Sequence, residues 1–344
     1  MKMRAVIFRH HGGLEQLKED YVPLPEIGEK DVLVKVHAAS VNHLDLWNLS
    51  GLPKTRISMP HILGCDVAGE VVEKGSRAGS VPLHRPVIVS PGISCGKCRY
   101  CKEGWDSMCP SYKILGFQVN GGFAEYVRVP AKNILPVTKH LSMEEWASIP
   151  LVFLTAWHML ITRGQLKKKE TVLIHAAGSG IGSAAIQIAR LKRCRVITTV
   201  GSAEKIKYAR SLKPDDIINY SEKDFSSEVM KMTKARGADV VFDHIGGEMF
   251  TKNISCLGKK GRLLTCGATA GRNVTIDLRY LYMKQLSVLG CYMGGLKELK
   301  SIVQWVKKGR LRPVVDKVFP LRQTRQALAR MMRRENFGKI IVKP

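Results

Sequence analysis

Residues 171–190 read TVLIHAAGSGIGSAAIQIAR, and this stretch predicts the fold of the second half of the chain. An apolar strand comes first, an amphipathic helix comes last, and between them lies a turn formed by Gly178, Ser179, Gly180, Ile181 and Gly182. Such a turn lets backbone amides approach a pyrophosphate, and the helix N-terminus adds its partial positive charge. The glycine spacing is not a complete G-x-G-x-x-G, but strand, turn and helix stand in the order that a dinucleotide site requires.

Strand and helix alternate from this stretch onward. Six short apolar runs are typical of buried strands: TVLIH at 171–175, RVITTV at 195–200, DIIN at 216–219, DVVFD at 239–243, GRLLTC at 261–266 and LSVLG at 286–290. Helical segments separate these runs, which implies right-handed βαβ crossovers and a parallel sheet with helices on both faces. The sequence therefore predicts an α/β protein with a doubly wound Rossmann domain at residues 151–290.

The first 150 residues have a different texture. Short β-like runs broken by glycine and proline predict a partly open β-barrel domain at residues 1–150: RAVIF at 4–8, DVLVKVHAASV at 31–41, VAGEVVEKG at 67–75, RPVIVS at 85–90 and FAEYVRVP at 123–130. Residues 291–344 contain two helical segments and a last strand, GKIIVKP, which we expect to return to the first domain.

Composition limits the functional classes. The 344-residue chain exceeds the size at which one hydrophobic core usually stops growing, in agreement with two domains. The N-terminus, MKMRAVIFRH, lacks a signal-peptide pattern, and the longest apolar run, at 149–161, is too short to span a bilayer. We therefore expect a cytoplasmic location and no membrane partner. The net charge is +26, but the basic residues are dispersed along the sequence without a nucleic-acid motif, so we expect no dedicated nucleic-acid partner.

The end of the second Rossmann strand predicts which nucleotide binds. Domains that bind NAD place an acidic residue there to accept hydrogen bonds from the ribose hydroxyls, but this sequence has Val200 or Gly201 at that position. Ser202 and Lys205 supply a donor and a positive charge close by, and Tyr220 ends the next strand. Because no carboxylate repels a 2′-phosphate, we expect NADP(H).

Four of the nine cysteines are clustered at spacings C-x2-C-x2-C-x7-C: Cys95, Cys98, Cys101 and Cys109. Such a set can bind one metal ion. The other five cysteines are scattered, mostly in apolar surroundings, so a disulfide framework is not expected. The spacing alone leaves open whether the metal takes part in chemistry or holds a loop together.

These features together resemble the medium-chain dehydrogenase/reductase superfamily of zinc-containing alcohol dehydrogenases and quinone oxidoreductases. The resemblance covers a GroES-like domain, a cysteine lobe at about residues 91–112, the nucleotide domain and the C-terminal return. It implies one structural Zn²⁺ per chain, since four thiolates saturate a tetrahedral zinc and leave no open position. It also implies that Lys205 and Tyr220 hold the 2′-phosphate of NADP(H). The implied cofactor contacts further include Thr155 beside the nicotinamide, Gly267 and Lys339.

The sequence departs from the alcohol dehydrogenases where that family binds a second, catalytic zinc. The family's C-H-x-D segment reads NHLD at 42–45, its G-H-E segment reads GCD at 64–66, and its third ligand position is Leu151. One candidate ligand, Cys65, remains and has changed type, while Asp66 or His43 as substitute ligands stay an alternative. Conversely, SVNHLDLWNLSG at 40–51 resembles the metal-free quinone oxidoreductases, in which the asparagine and aspartate line the substrate cleft.

The resemblance and the missing ligands predict hydride transfer from NADPH to a quinone or an enone, whose conjugated system accepts the charge without a Lewis acid. We expect Asn42 to donate to the acceptor oxygen, His43 to donate a proton or contact the cofactor phosphate, and Asp45 to orient its neighbours. Three alternatives stay open: a zinc-dependent dehydrogenase of simple alcohols, a reductase of enoyl- or acryloyl-CoA thioesters, and a nucleotide-sensing RNA binder.

The sixth Rossmann strand bears on assembly. A terminal strand has an unpaired edge that must be covered or paired, and in the family this edge commonly joins its two-fold mate. Apolar residues at this edge agree with such an interface: Val288, Leu289, Tyr292 and Met293. We expect a homodimer, or a homotetramer built from such dimers.

Overall fold

The computed structural model describes residues 1–52 and 56–344, which divide into two compact units. The first unit contains Met1–Leu151 and Gly294–Pro344, and the second contains Val152–Met293. The chain therefore leaves the first unit after Leu151 and re-enters it at Gly294.

Eighteen strands lie in the described residues: β1 Lys2–Phe8, β2 Lys18–Pro23, β3 Asp31–Ser40, β4 His61–Ile62, β5 Asp66–Lys74, β6 Pro86–Val89, β7 Gly92–Ile93, β8 Lys113–Ile114, β9 Tyr126–Pro130, β10 Ile134–Pro136, β11 Thr171–Ile174, β12 Arg195–Val200, β13 Asp216–Asn219, β14 Ala238–Asp243, β15 Leu257–Thr265, β16 Ser287–Gly290, β17 Val315–Pro320 and β18 Lys339–Lys343.

The α-helices of the same described ranges are α1 His43–Ser50, α2 Arg99–Lys102, α3 Met143–Ala147, α4 Pro150–Trp157, α5 Gly180–Leu191, α6 Ala203–Ser211, α7 Phe225–Met232, α8 Glu248–Ser255, α9 Leu278–Lys284, α10 Leu296–Lys307 and α11 Thr324–Met332. A π-helical segment, His158–Arg163, continues α4. The apolar run at 149–161 thus forms α4 and the start of this segment. In the part of the chain that is described, no helix is long and apolar enough to cross a bilayer.

Strands of the first unit build its β-rich core. A seven-stranded sheet has the order β10-β6-β5-β3-β18-β17 with β9 also paired to β3, and a three-stranded sheet has the order β2-β1-β4. Valine, leucine and phenylalanine side chains fill the interior of this unit, among them Val34, Leu63, Val67 and Phe123, each fully buried. The last strand pairs antiparallel with β3, Ile341 beside Ser40, so the C-terminal strand lies in the first unit.

The second unit is a six-stranded sheet in the order β13-β12-β11-β14-β15-β16, and every neighbouring pair is parallel. This confirms the doubly wound sheet that the sequence predicts. The strand order reverses between β11 and β14, and in such sheets ligands bind beyond the carboxyl ends of the strands at that point. The helix α5 begins there, immediately after β11 and its glycine-rich turn.

Several strands differ from the sequence predictions, which did not include the short strands β2, β4, β7, β8 and β10 of the first unit. The predicted strand at 123–130 begins only at Tyr126, while β15 begins at Leu257, four residues earlier than expected, and its pairing with β14 shifts register between Ala238 and Val240. The strand β17 was not predicted at all. Its sequence, VDKVFP, buries Phe319 but exposes most of its other side chains, so it lacks the apolar run that marks the other strands.

Candidate functional site

The glycine-rich turn of the second unit is built by the hydroxyl of Ser179. The Ser179 Oγ donates to the Ala176 carbonyl at 2.8 Å and accepts from the Gly182 amide at 2.9 Å, so this side chain caps α5. A Cβ on Gly182 would lie 2.3 Å from the Ala176 oxygen, which explains why this position is glycine. The packing holds the N-terminus of a twelve-residue helix against the strand, as binding of a pyrophosphate requires.

His244 is a polar group at this turn that the sequence analysis missed. It follows β14 directly, and its Nε2 lies 3.3 Å from the Ser179 Oγ. The parallel pairing of β11 with β14 therefore brings His244 to the reversal point of the strand order, beside the turn. A polar residue one position after a predicted strand was the signal that could have found it.

The predicted nucleotide-selecting residues meet at the ends of β12 and β13. Val200 pairs with Asn219, so Gly201 and Tyr220 follow on adjacent strands, and the Tyr220 hydroxyl lies only 2.5 Å from where a Cβ on Gly201 would stand. Ser202 caps α6 by accepting from the Lys205 amide at 3.3 Å. The structure thus brings Ser202, Lys205 and Tyr220 to one end of the sheet, where no carboxylate occupies the last positions of β12.

The two other predicted cofactor contacts in this unit lie on separate elements. Thr155 is buried within α4, and Gly267 follows β15 after Cys266, whose amide donates to the Asp243 carbonyl at 3.3 Å. A Cβ on Gly267 would lie 2.8 Å from the His244 carbonyl oxygen. Gly267 therefore lies beside the loop that carries His244, near the glycine-rich turn.

In the first unit, a buried polar network surrounds the ammonium group of Lys339. The Lys339 Nζ donates to the Val41 carbonyl at 2.8 Å, to Asn42 Oδ1 at 2.6 Å and to Asp66 Oδ2 at 3.2 Å, and only 4% of the side chain is exposed. All three ammonium hydrogens are therefore used inside the unit. The sequence analysis placed Lys339 among the cofactor contacts, whereas the structure makes it the cation of this network.

We call Lys339 and the residues bonded around it, Ser40, Asn42, Cys65 and Asp66, the Lys339 network. The remaining polar atoms of this network are paired with one another. Asn42 Nδ2 donates to Asp66 Oδ2 at 2.9 Å and to Cys65 Sγ at 3.2 Å. Asp66 also accepts from the Ser40 hydroxyl at 2.9 Å and, through Oδ1, from the Leu151 amide at 2.7 Å. Burial raises the pKa of the Cys65 thiol well above its ordinary value. The network pairs one buried carboxylate with one buried ammonium and satisfies both with hydrogen bonds.

Asp45 fixes the backbone beside this network. Its Oδ2 accepts from the Asn42 amide at 2.7 Å and its Oδ1 accepts from the Gly64 amide at 3.0 Å, so one carboxyl group ties the start of α1 to the segment before β5. Gly64 has a φ of 95°, which favours glycine there. Burial raises the pKa of Asp45 to about 7, although the two amide donors act in the opposite direction.

His43 is the solvent-accessible member of the predicted catalytic trio. It is the first residue of α1 and is exposed, whereas Asn42 and Asp45 are buried. Loss of part of its surrounding water lowers the pKa of His43, and the positive charges of Arg334 and Lys339 lower it further. The imidazole is therefore neutral near pH 7 and has one N–H to donate.

The Lys339 network and the Leu151 amide bonded to it include the three positions that the resemblance assigns to the catalytic-zinc ligands of the alcohol dehydrogenases, Asn42, Cys65 and Leu151. Asn42 replaces the first ligand and uses its amide within the network, and Leu151, at the third position, offers only a backbone amide to Asp66. Among the described residues, the cysteine quartet is the one group of three or more His, Cys, Asp or Glu side chains that converges on a common point. The side chains of the Lys339 network therefore do not provide the ligand set that a zinc ion needs.

The cysteine quartet, by contrast, has the geometry of a closed tetrahedral site. The sulfurs of Cys95, Cys98, Cys101 and Cys109 all lie within 4.8 Å of one another. Zinc–sulfur bonds of about 2.3 Å place tetrahedral sulfurs about 3.8 Å apart, close to the 3.9 Å between Cys95 and Cys101 and the 3.5 Å between Cys98 and Cys101. Backbone amides of Lys97 and Cys98 donate to the Cys95 sulfur and lower the pKa of this thiol to about 6. These residues would hold one structural zinc.

Comparison with known families gives two matches along this chain. Residues 28–139 match the alcohol dehydrogenase GroES-like domain, and residues 180–308 match the zinc-binding dehydrogenase domain. The first match covers most of the unit that carries the cysteine quartet and the Lys339 network. The second begins at Gly180, inside the glycine-rich turn, and covers five of the six strands of the parallel sheet.

Individual relatives agree with these matches over nearly the whole chain. A curated NAD-dependent alcohol dehydrogenase from Sulfolobus acidocaldarius is 33% identical over 99% of both chains. A crystal structure of an NAD-dependent alcohol dehydrogenase is 40% identical with a TM-score of 0.96, and it covers 99% of this chain and 100% of its own. A crotonyl-CoA reductase from Streptomyces collinus is 29% identical over 93% of this chain and 80% of its own length.

Proposed function

The chain belongs to the family of zinc-binding alcohol dehydrogenases with a GroES-like domain and is an oxidoreductase, and on that premise we propose that it transfers a hydride between NADP(H) and a quinone or an enone without a catalytic metal. The observation that carries this proposal is the Lys339 network. An ammonium group whose three hydrogens are already donated lies among the positions that the resemblance assigns to the catalytic-zinc ligands, and it has no vacant orbital with which to polarise a substrate oxygen.

The acceptor class follows from this replacement. Reduction of an isolated ketone concentrates negative charge on one oxygen, which a catalytic zinc stabilises strongly and neutral hydrogen-bond donors stabilise less. A quinone or an enone spreads the incoming charge over its conjugated system, so it requires less stabilisation. The protein's contribution is then to bind and orient the two reactants.

The residues of the predicted trio receive different roles in this proposal. His43 has an accessible neutral imidazole, so we assign to it the hydrogen bond donated to the acceptor oxygen, and the proton that completes the reduction then comes from water. The Asn42 amide and the Asp45 carboxyl group are already bonded within the first unit, so we assign them to positioning the start of α1, where His43 lies.

Preference for NADP(H) over NAD(H) is the part of the proposal in which the chain differs from the names of its relatives. It is supported by the absence of a carboxylate at Val200 and Gly201 and by the position of Lys205 and Tyr220 at the same end of the sheet. NADPH should bind at least about tenfold more tightly than NADH, equivalent to about 1.4 kcal/mol.

Fluorescence titration with both nucleotides tests this preference. Lys205→Ala should weaken NADPH binding and leave NADH nearly unchanged, because the lysine charge acts on the 2′-phosphate. Lys207→Ala, an exposed lysine on the same helix, is the matched control and should change neither. Equal affinity of the wild type for the two nucleotides would contradict the assignment of NADP(H).

A second candidate substrate class is the enoyl- or acryloyl-CoA thioester, which is also conjugated. The similarity to a crotonyl-CoA reductase over 93% of this chain favours keeping it. Oxidation of NADPH should be measured against a quinone, an enone, an acryloyl-CoA thioester and a simple aldehyde. Turnover of the thioester alone would favour the second candidate, and efficient turnover of simple aldehydes or alcohols would contradict both.

We also propose that the protein is a cytoplasmic homodimer, or a homotetramer of such dimers, joined through β16. This strand ends the sheet order, and Val288 and Tyr292 are 40% and 49% exposed beside it. Met293, expected at the same edge, is buried and takes no part. Leu289→Lys should shift the assembly toward the 38.3 kDa monomer in light scattering, whereas Leu83→Lys, at an exposed position of the other unit, should not.

A further inference from the structure

Basic residues that are dispersed in the sequence gather at one edge of the parallel sheet. The segments that enter β11, β12, β13, β14 and β15 all lie at the amino-terminal edge, because the strands are parallel. These segments, together with the first residues of β15, carry ten exposed basic side chains, which together we call the basic edge: Lys167, Lys168, Lys169, Lys192, Arg193, Lys213, Lys234, Arg236, Lys259 and Lys260.

Backbone contacts show that these segments adjoin one another. The Lys169 amide donates to the Arg193 carbonyl at 3.1 Å, which joins the segments before β11 and β12. A Cβ on Gly258 would lie 2.5 Å from the Arg236 carbonyl oxygen, which places the segment before β14 against the start of β15. Five neighbouring strands at about 4.8 Å spacing give the basic edge a width of about 19 Å.

Local partners do not neutralise the basic edge. In the ranges that the structure describes, none of the ten side chains makes an ion pair or a side-chain hydrogen bond. Acidic groups in the same segments have partners outside the ten: Glu170 pairs with Arg262 at 2.8 Å, Asp216 with Arg195 at 2.8 Å and Asp215 with Arg190 at 3.9 Å, and Asp239 accepts from the Thr171 amide at 2.7 Å. The basic edge therefore carries a large uncompensated positive charge.

Helix dipoles account for part of this arrangement. Lys192, Lys213 and Lys234 follow the carboxyl ends of α5, α6 and α7, where a positive charge is favourable. The consecutive lysines at 167–169 and the pair at 259–260 are not at such ends, and they repel one another at short range. The favourable interaction of cations with the carboxyl ends of helices therefore does not explain why so many basic residues share one edge.

The basic edge also cannot serve the nucleotide or a small substrate held beside it. Both predicted phosphate contacts, the glycine-rich turn and Lys205, lie at the carboxyl edge of the same sheet. The strands between the two edges have four to nine residues, so the edges are separated by at least about 13 Å. A CoA-type substrate at the carboxyl edge therefore does not account for these charges.

We propose that the basic edge binds double-helical nucleic acid through its phosphate backbone, without reading sequence. Its width is comparable to the roughly 20 Å thickness of a duplex, whose closely spaced phosphates match a flat array of cations. None of the exposed large apolar side chains of the described residues lies in these segments, so the edge offers neither aromatic rings for stacking single-stranded bases nor groups for insertion into a bilayer. This differs from the expectation drawn from the sequence, where the basic residues look dispersed.

Binding of a fluorescein-labelled 20-base-pair duplex, followed by anisotropy between 50 and 200 mM NaCl, tests the proposal. A footprint of about five phosphates predicts a slope of about −4 for the logarithm of affinity against the logarithm of salt concentration. The triple variant Lys167→Glu, Lys168→Glu, Lys169→Glu should weaken binding at least about tenfold at 50 mM salt and make the slope shallower by about 2 to 3.

A matched triple variant separates the basic edge from the net charge of the protein. Lys18→Glu, Lys297→Glu, Lys300→Glu makes the same change in charge at exposed lysines of the other unit and should weaken binding less than about threefold. Both variants should keep the wild-type affinity for NADPH, which also shows that they fold. Equal losses in the two variants, or no duplex binding by the wild type, would overturn the proposal. Preference for a single-stranded oligonucleotide, or for phosphatidylserine vesicles over the duplex, would overturn it as well.

Discussion

The cysteine lobe and the Lys339 network lie in the same unit, and the resemblance to the alcohol dehydrogenases assigns a zinc ion to each of these two regions. In the lobe, four sulfurs converge within 4.8 Å and two backbone amides favour the thiolate of Cys95. In the network, Asn42 and Leu151 replace two ligands, and an ammonium group neutralises Asp66. One region keeps every donor that a metal needs, and the other keeps the positive charge without the metal.

This difference reflects how much each region depends on a bound metal for folding. The lobe is a short excursion with two-residue strands and a four-residue helix, so it has little core of its own and depends on a crosslink. The network lies inside the β-rich core, where the surrounding structure already fixes the backbone. There a metal is dispensable for folding, and a lysine supplies the counter-charge that a buried carboxylate requires.

The largest effect should follow from removing one ligand of the lobe. In Cys98→Ser, bound zinc should fall from about one ion per chain to less than about a tenth, since three thiolates leave an open coordination position. Structural zinc binding contributes on the order of 10 kcal/mol to the folding of small zinc domains, so the lobe should unfold locally. Elemental analysis and limited proteolysis within residues 91–112 measure these two effects.

Cys194→Ser is the control for this variant, because Cys194 lies in the second unit, outside the cysteine quartet, and donates to the Lys167 carbonyl, a bond that serine can keep. It should retain its zinc. If the wild-type protein instead holds two zinc ions per chain after dialysis against a weak chelator, the contrast between the two regions would be wrong.

The second-largest effect should come from Lys339→Met. This change leaves Asp66 buried and without its counter-charge, and breaking a buried ion pair from one side costs about 3 to 5 kcal/mol. Urea unfolding measures the loss. The double variant Lys339→Met, Asp66→Asn should be more stable than Lys339→Met alone, because it removes the uncompensated charge.

The single variant Asp66→Asn completes a double-mutant cycle, and two outcomes of this cycle would alter the interpretation. Additive losses in the double variant would show that the two charges do not stabilise each other. Zinc bound by Lys339→Met at a second site would show that the ammonium excludes a metal that the remaining donors could still hold. Unchanged zinc content together with a recovered stability is the expected result.

Much of the fold could be predicted because its signals are local. The inner strands of the second unit, β11, β12 and β14, are almost fully buried and appear as apolar runs, and the quartet is confined to fifteen residues, so each pattern is visible within a short window. The strand β17 lacked such a signal because it lies at the end of its sheet and keeps most of its side chains exposed.

The Lys339 network could not be assembled from the sequence for a different reason. Lys339 is 297 residues from Asn42 and 273 from Asp66, and no spacing rule connects positions so far apart. The sequence did show which zinc ligands were missing, but only the pairing of β18 with β3 shows what replaces the metal charge. The same holds for the basic edge, where parallel topology gathers residues from five separate segments.

The smallest expected effect is on the pH dependence of stability and comes from Asp45. It tests whether the core around the Lys339 network keeps this buried carboxyl group protonated. Burial raises the pKa of Asp45 to about 7, above the ordinary value of 3.8 that it regains on unfolding. Between these values the folded protein binds more protons than the unfolded chain, so the free energy of unfolding should decrease as pH rises. The decrease should total about 2 kcal/mol between pH 5 and 7 and level off above the folded pKa.

Asp45→Asn is the control, because its side chain cannot ionise. The amide accepts only one of the two backbone hydrogen bonds, so the variant should be less stable at every pH, but its free energy of unfolding should lack the decrease of about 2 kcal/mol between pH 5 and 7. Urea unfolding of both proteins at four pH values gives the two slopes. Equal slopes would mean that the amides of Asn42 and Gly64 outweigh burial and keep Asp45 ionised, so that the network would contain a second negative charge that Lys339 alone does not balance.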